Sequence, residues 1–205
     1  MPDISLAARS NMHGLLHDHG IAPSSVSVAD LDGMGLSSLH ALGGDHAGLL
    51  ARFAQIYGLE LPEGPRRALR HDIAAVGVGP GKWLVARAGA ESRLAAELHE
   101  RLGDVAAVND QGDGHALLRL SGSAARNVLA KGCGIDLHHK AFPVNASAGT
   151  AIAHIGVTLW RCEDAPDGAP VFEIMLFRSL AQSFWHWLAL SAAEFGLHAT
   201  TPLTD

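Results

Sequence analysis

The rhythm of apolar positions changes near residue 60. Before it, Leu36, Leu39, Leu42, Leu49, Leu50 and Phe53 recur at mixed helical spacings, which predicts a stretch that is helical in parts. Leu61-Pro62-Glu63-Gly64-Pro65, within residues 58–67, can continue neither a helix nor a central strand, so a loop divides the chain there. From Ile73 the pattern tightens. The apolar runs 73–78 and 83–86 flank Gly79-Pro80-Gly81-Lys82 and predict a β-hairpin. In residues 91–102, Leu94, Leu98 and Leu102 lie four apart, the stripe of a packed helix, and Gly103 stands where a left-handed cap is expected.

Residues 105–108 and 116–120 then read as strands on either side of the turn-rich Asn109-Asp110-Gln111-Gly112-Asp113-Gly114. A helix is expected over 123–131, with Ser121 or Ser123 as its N-cap and Gly132 at its end. Residues 151–160 and 171–177 read as two strands joined by the polar segment 163–170. The final helix has a Ser179-x-x-Gln182 capping box and Gly196 as its stop. The order from Ile73, β-β-α-β-β-α-β-β-α, specifies an α+β fold with antiparallel or mixed sheets, packed helices and ferredoxin-like βαβ units. One domain over 1–205 is expected, partly helical in 1–60 and with its α+β core in 61–197. No short-period repeat is visible.

Composition narrows the class. Of 205 residues 48% are hydrophobic and 18% charged, which suits a packed globule rather than a disordered chain, and no apolar run reaches bilayer length. A net charge of -6 disfavours nucleic acid as a partner. Met1-Pro2-Asp3-Ile4 has neither the basic nor the apolar region of a secretory signal, and Cys133 and Cys162 are too few for a disulfide framework, so the cytoplasm is expected.

Candidate chemistry is thin. Thirteen histidines include His13, His17 and His19, the pair His138-His139, and His186, but no HExxH or Cys pair accompanies them and no metal is expected. Gly77-x-Gly79-x-Gly81 mimics a phosphate loop, yet Lys82-Trp83-Leu84-Val85 continues as strand instead of opening a helix, so a hairpin turn is expected. Cys133 follows a helix end, where the dipole disfavours a thiolate, and Ser121-Gly122-Ser123 lacks the frame of a nucleophile elbow.

In the last helix Leu180, Phe184, Trp187, Leu188, Ser191 and Phe195 trace one stripe, while Trp185 lies beside it with Ala181, Ala189 and Ala192. Such a helix is covered on more than one side, by its own core or by another protein. Phe184, Trp185 and Trp187 are the candidate subunit-interface residues.

Taken together, the stretch from Gly77-Val78-Gly79-Pro80-Gly81-Lys82-Trp83-Leu84-Val85, through Leu118-Arg119-Leu120-Ser121-Gly122-Ser123 and Lys131-Gly132-Cys133-Gly134-Ile135-Asp136, to Phe177-Arg178-Ser179-Leu180-Ala181-Gln182-Ser183-Phe184-Trp185-His186-Trp187-Leu188 resembles the sarcosine oxidase gamma-subunit family. The likeness is colinear from about residue 58 to 196. It implies a fold similar to part of the aminomethyltransferase (glycine-cleavage T-protein) folate-binding fold. It also implies a non-catalytic subunit of a heterotetramer that demethylates sarcosine to glycine, with transfer of a one-carbon unit to tetrahydrofolate and formation of hydrogen peroxide. The implied direct partner is the alpha subunit, with beta and delta joined through the complex. FAD, FMN, NAD, tetrahydrofolate and zinc are implied in the other subunits and no cofactor in this one. Three alternatives stay open: a similar subunit of a related N-methyl amino acid dehydrogenase, a stand-alone folate-binding protein with Asp72 or Asp136 as its carboxylate, and a self-associating structural protein whose apolar last helix pairs with a copy of itself.

Overall fold

The apolar runs become strands because both of their faces are covered. A computed structural model describes residues 9–10, 12–20, 23–43, 46–89 and 93–200. In chain order the elements are β1 (Val26–Asp30), β2 (Gly35–Ala41), α1 (His46–Tyr57), β3 (Arg67–Arg70), β4 (Ile73–Gly79), β5 (Lys82–Arg87), α2 (Leu94–Leu102), β6 (Ala106–Asp110), β7 (His115–Ser121), α3 (Ala125–Ala130), β8 (Ser147–Ile152), β9 (Ile155–Arg161), β10 (Val171–Phe177), α4 (Ala181–Ala192) and β11 (Leu197–Thr200). Two sheets form, ordered β3-β4-β5-β2-β6 and β11-β1-β7-β10-β9-β8.

The period of two sorts each strand between two cores. Ile73, Ala75, Trp83 and Val85 pack with Leu49 and Phe53 of α1 and with Leu94, Leu98 and Leu102 of α2. Their neighbours Val76, Leu84 and Ala86 face the other sheet, meeting Leu117, Trp160 and Val171. On the far side of that sheet, Leu118, Leu120, Leu159, Phe172 and Ile174 pack against α3 and α4. The result is four layers, helices outside and sheets inside. Strands covered on both faces read as continuous apolar runs, which is how β4, β5 and β10 appear in the sequence.

The two sheets also share a plan. The order β2-α1-β3-β4-β5-α2-β6 is repeated by β7-α3-β8-β9-β10-α4-β11, and the strands take corresponding places in their sheets. Each half is a ferredoxin-like βαββαβ unit with one added hairpin strand. The second half differs by one insertion: β1 lies between β7 and β11, antiparallel to β7 and parallel to β11.

Several expectations need correction. In the first 60 residues, the only α-helix among the described residues is α1, and Leu36 and Leu39 lie in a strand. Three apart on a strand, they face opposite ways, Leu36 toward the other sheet and Leu39 toward the helices. Residues 151–160 hold parts of two strands, joined by Ala153 and His154 at φ of 50° and 67°. Two left-handed central residues make the hairpin turn that matches strand twist, but the usual Asn-Gly signal is missing.

Capping differs as well. Ser179 lies in a 3₁₀ turn (Arg178–Leu180), and α4 starts after Leu180 without a side-chain cap because that turn already binds the Ala181 N–H. The N-cap of α3 is Ala124 rather than Ser121 or Ser123. Its first amides bind the carbonyls of Ser25 and Gly122 instead. Gly103 is right-handed, at φ -64°. Gly196, at φ 68°, does end the last helical turn as expected. Of the helix expected over 91–102, Glu91 and Ser92 fall outside the described residues. Among the described residues, no helix is long and apolar enough to cross a membrane.

Candidate functional site

The aromatic helix α4 was the sequence's strongest lead. Phe184 is fully buried and Trp185 is 4% exposed, both within the core over the six-stranded sheet. Trp187 is half-buried. Its ring lies 5.6 Å from that of Phe184 and sits so close to Gly132 that a Cβ there would come within 2.6 Å of it. The second side of the helix is covered by the chain's own beginning: Met12 is buried in the same core, Leu15 and Leu16 pack on it, and the rings of His17 and His19 lie 6.3 and 6.0 Å from Trp185. Main-chain bonds between His19 and Leu197 tie this segment down. Phe184 and Trp185 therefore have almost no surface left for a partner. The outward face of α4 consists of Gln182, Ser183, His186 and Leu190.

The glycine-rich hairpin forms a cleft rather than a phosphate loop. Pro80 and Gly81 make the β4–β5 turn, with Gly81 at φ 66°, and β5 follows directly. A cleft of about 630 Å³ opens beside it, lined by His46, Leu50, Glu63, Val78, Trp83 and Thr158 among others. The floor is fixed by the Trp83 indole, whose N–H donates to the Pro62 carbonyl at 2.9 Å. Because β5 rather than a helix follows the turn, the turn lacks the strand-to-helix frame of a nucleotide loop.

A second site lies where the inter-sheet layer reaches the surface. Glu173 of β10 is 4% exposed. Its Oε1 accepts from Arg119 Nε at 3.1 Å and Nη2 at 2.6 Å, and its Oε2 accepts from Trp160 Nε1 at 2.6 Å. Burial among apolar neighbours and the adjacent Glu173 charge push the Cys162 thiol up to about 12, so it stays protonated and is a poor nucleophile. Arg67 of β3 lines the same mouth. Its Nη1 reaches Asn145 Oδ1 at only 3.4 Å, and its buried Nε has no acceptor among the described residues. A buried donor left so costs roughly 1–3 kcal/mol.

The other candidates are scattered. His13 and His17 are exposed. The His17 and His19 rings lie 4.2 Å apart, but among the described residues no group of three His, Cys, Asp or Glu side chains is placed to hold a metal. His138, His139 and His186 are exposed. Cys133 is half-buried, its N–H bound to the Leu129 carbonyl. Asp72 is exposed at the β3–β4 turn, and Asp136 is exposed with its carboxylate turned back on the His138 N–H. Neither carboxylate lines either cleft.

Arg67, Arg119, Trp160 and Glu173 were not singled out by the sequence. A signal was present: Arg119 and Glu173 are charges in the middle of otherwise apolar strands. Which two would meet depends on β7 and β10 pairing, and the register places Arg119 opposite Glu173.

Comparison with known proteins agrees with this architecture. Residues 43–194 match the model of the sarcosine oxidase, gamma subunit family. The sarcosine oxidase subunit gamma of Corynebacterium sp. (strain P-1) is 37% identical over 153 residues, 73% of this chain and 72% of that protein. The subunit gamma of an Arthrobacter species is 34% identical over 148 residues, 71% and 70%. Among solved structures, a chain of the heterotetrameric sarcosine oxidase from Corynebacterium sp. U-96, in complex with pyrrole 2-carboxylate, superposes with a TM-score of 0.78 at 27% identity, over 92% of this chain and 96% of that one. The glycine cleavage system aminomethyltransferase T from Bartonella henselae shares the fold, with a TM-score of 0.62 at 18% identity over 86% of this chain and 48% of that one. The colinear sequence blocks, the duplicated two-sheet fold and the match over residues 43–194 agree, and the chain belongs to the sarcosine oxidase gamma subunit family.

Proposed function

We propose that this chain is an assembly subunit of a heterotetrameric sarcosine oxidase, packed directly on the alpha subunit and joined through it to beta and delta. In this reading the complex works in the cytoplasm and oxidatively demethylates sarcosine to glycine. The one-carbon unit passes to tetrahydrofolate, and oxygen is reduced to hydrogen peroxide. FAD, FMN, NAD, tetrahydrofolate and zinc belong to the other subunits, and this chain contributes surface rather than chemistry.

The observation that carries the reading is the likeness to a chain of a heterotetrameric sarcosine oxidase over nearly the full length of both. The disposition of reactive groups supports it. Cys162 is held protonated, Glu173 is occupied by Arg119 and Trp160, and Asp72 and Asp136 point to no shared cleft. The likeness to the aminomethyltransferase speaks for the fold alone.

Co-expression tests the reading. The chain purified alone is expected to show no flavin absorbance and no sarcosine-dependent peroxide, and to co-purify in stoichiometric amount when the other three subunits are present. Stoichiometric flavin on the isolated chain, or exclusion from the assembled oxidase, would overturn it. Calorimetric titration with tetrahydrofolate addresses the folate-binding alternative, for which heat at one equivalent is the positive result.

A further inference from the structure

We infer that the mouth of the inter-sheet layer is a docking cleft that receives a carboxylate side chain of a partner subunit on the Arg67 guanidinium. The inference rests on the assembly role proposed above and adds to it a place and a chemistry.

Four observations converge. The cleft measures about 370 Å³ and is lined by Arg67, Leu69, Arg119, Cys162 and Glu163 among others, which is the lower end of the range for small-ligand pockets. Arg67 is a cation without a counterion: among the described residues no ion pair includes it, and its Nε has no acceptor. The buried Glu173 carboxylate does not serve it: its oxygens accept from Arg119 and Trp160, and its ion pair is with Arg119. The neighbouring Cys162 thiol keeps its proton and adds no negative charge. Glu163 also lines the cleft, but it is exposed on the rim, where water screens it.

The geometry also selects the occupant. One guanidinium without an ion pair among the described residues matches one carboxylate, which arginine can bind in a two-pronged manner. A phosphate would bring more charge than a single free cation balances, because Arg119 is committed to Glu173. Beside Arg67 on the same face of β3, Leu69 is 48% exposed and offers an apolar wall for the methylenes of an acidic side chain. An incoming carboxylate would supply the opposite charge that Arg67 lacks among the described residues.

The test uses the full chain co-expressed with the other three subunits, comparing wild type with Arg67→Met and Arg67→Glu. Arg67→Met is expected to leave the thermal midpoint of the isolated chain unchanged or raised, since it removes an unsatisfied donor. The same change should weaken entry into the complex at least tenfold, with Arg67→Glu weaker still. Wild-type assembly should fall with added sodium chloride more steeply than that of Arg67→Met. Wild-type affinity in both variants would overturn the cleft while leaving the assembly role intact. A lowered midpoint in isolated Arg67→Met equal to its loss of assembly would make Arg67 structural and overturn the cleft too. A wild-type chain that never joins the complex would overturn both.

Discussion

The two βαβββαβ halves follow one plan and are finished differently. In the first, α1 and α2, with Leu59 and Leu61, cover the outer face of the five-stranded sheet, the hairpin turn at Pro80-Gly81 stays open beside a cleft, and Val78 is 47% exposed at a bulge in β4. In the second, β1 widens the sheet between β7 and β11, and the segment around residues 12–19 covers α4 from outside. A helix covered on one side needs one apolar stripe, as α2 has with Leu94, Leu98 and Leu102. A helix covered on two sides must be apolar over most of its circumference, as α4 is. Helix composition here reports how many layers lie around the helix, and Trp185 is buried within the chain while Trp187 keeps part of its surface.

Truncating the doubly covered core breaks that comparison most directly. Phe184→Ala is expected to cost about 3–5 kcal/mol of the isolated chain's stability in urea unfolding, because a fully buried ring is replaced by a cavity. If α4 faced a partner instead, the isolated chain would hardly notice the change. The first half is vulnerable through backbone contact: a Cβ on Gly77 would come within 2.0 Å of the Gly64 carbonyl oxygen, which cannot swing aside like a side chain. Gly77→Ala should lower stability by about 1–3 kcal/mol, measured by the same unfolding, and should shift the loop at 62–65 in backbone chemical shifts.

The smallest effect concerns the helix-to-sheet ion pair of the first half. Arg87, donating at 2.5 and 3.2 Å, holds the Glu97 carboxyl below its ordinary value, against the opposing effect of burial. A depressed carboxylate contributes stability that is present above its unfolded value near 4.5 and is lost as pH falls through the lower folded value. With a side chain 30% exposed, the effect should stay below about 1 kcal/mol. Glu97→Gln should accordingly unfold earlier than wild type at pH 7 and converge with it in acid. A difference that persists unchanged at acid pH would show that packing, not charge, carries it.

Legibility in the sequence followed the range of the interactions. The Gly79-Pro80-Gly81-Lys82 turn, the Leu94/Leu98/Leu102 stripe and the run Val171–Phe177 are local, and the elements formed where they pointed. The turn at Ala153-His154 was hidden because its left-handed backbone is imposed by the pairing of β8 with β9 rather than favoured by its residues. Leu36 and Leu39 imitated helix spacing because either period places apolar residues three apart when both strand faces are buried. Of the candidate site, the aromatic helix was visible, and its true cover, residues 12–19 far away in the chain, was not.

By itself the sequence determined the α+β class, most of the core elements from Ile73 onward, and the colinear blocks that carry the family likeness, since each depends on neighbouring residues and on turn chemistry. Only the tertiary structure decided that the halves are duplicates, that β1 enters the second sheet, that Phe184 and Trp185 face inward, and that Arg119 meets Glu173 while Arg67 has no counterion among the described residues. Those outcomes depend on which distant strands pair and in which register, and desolvation then decides which charges find partners.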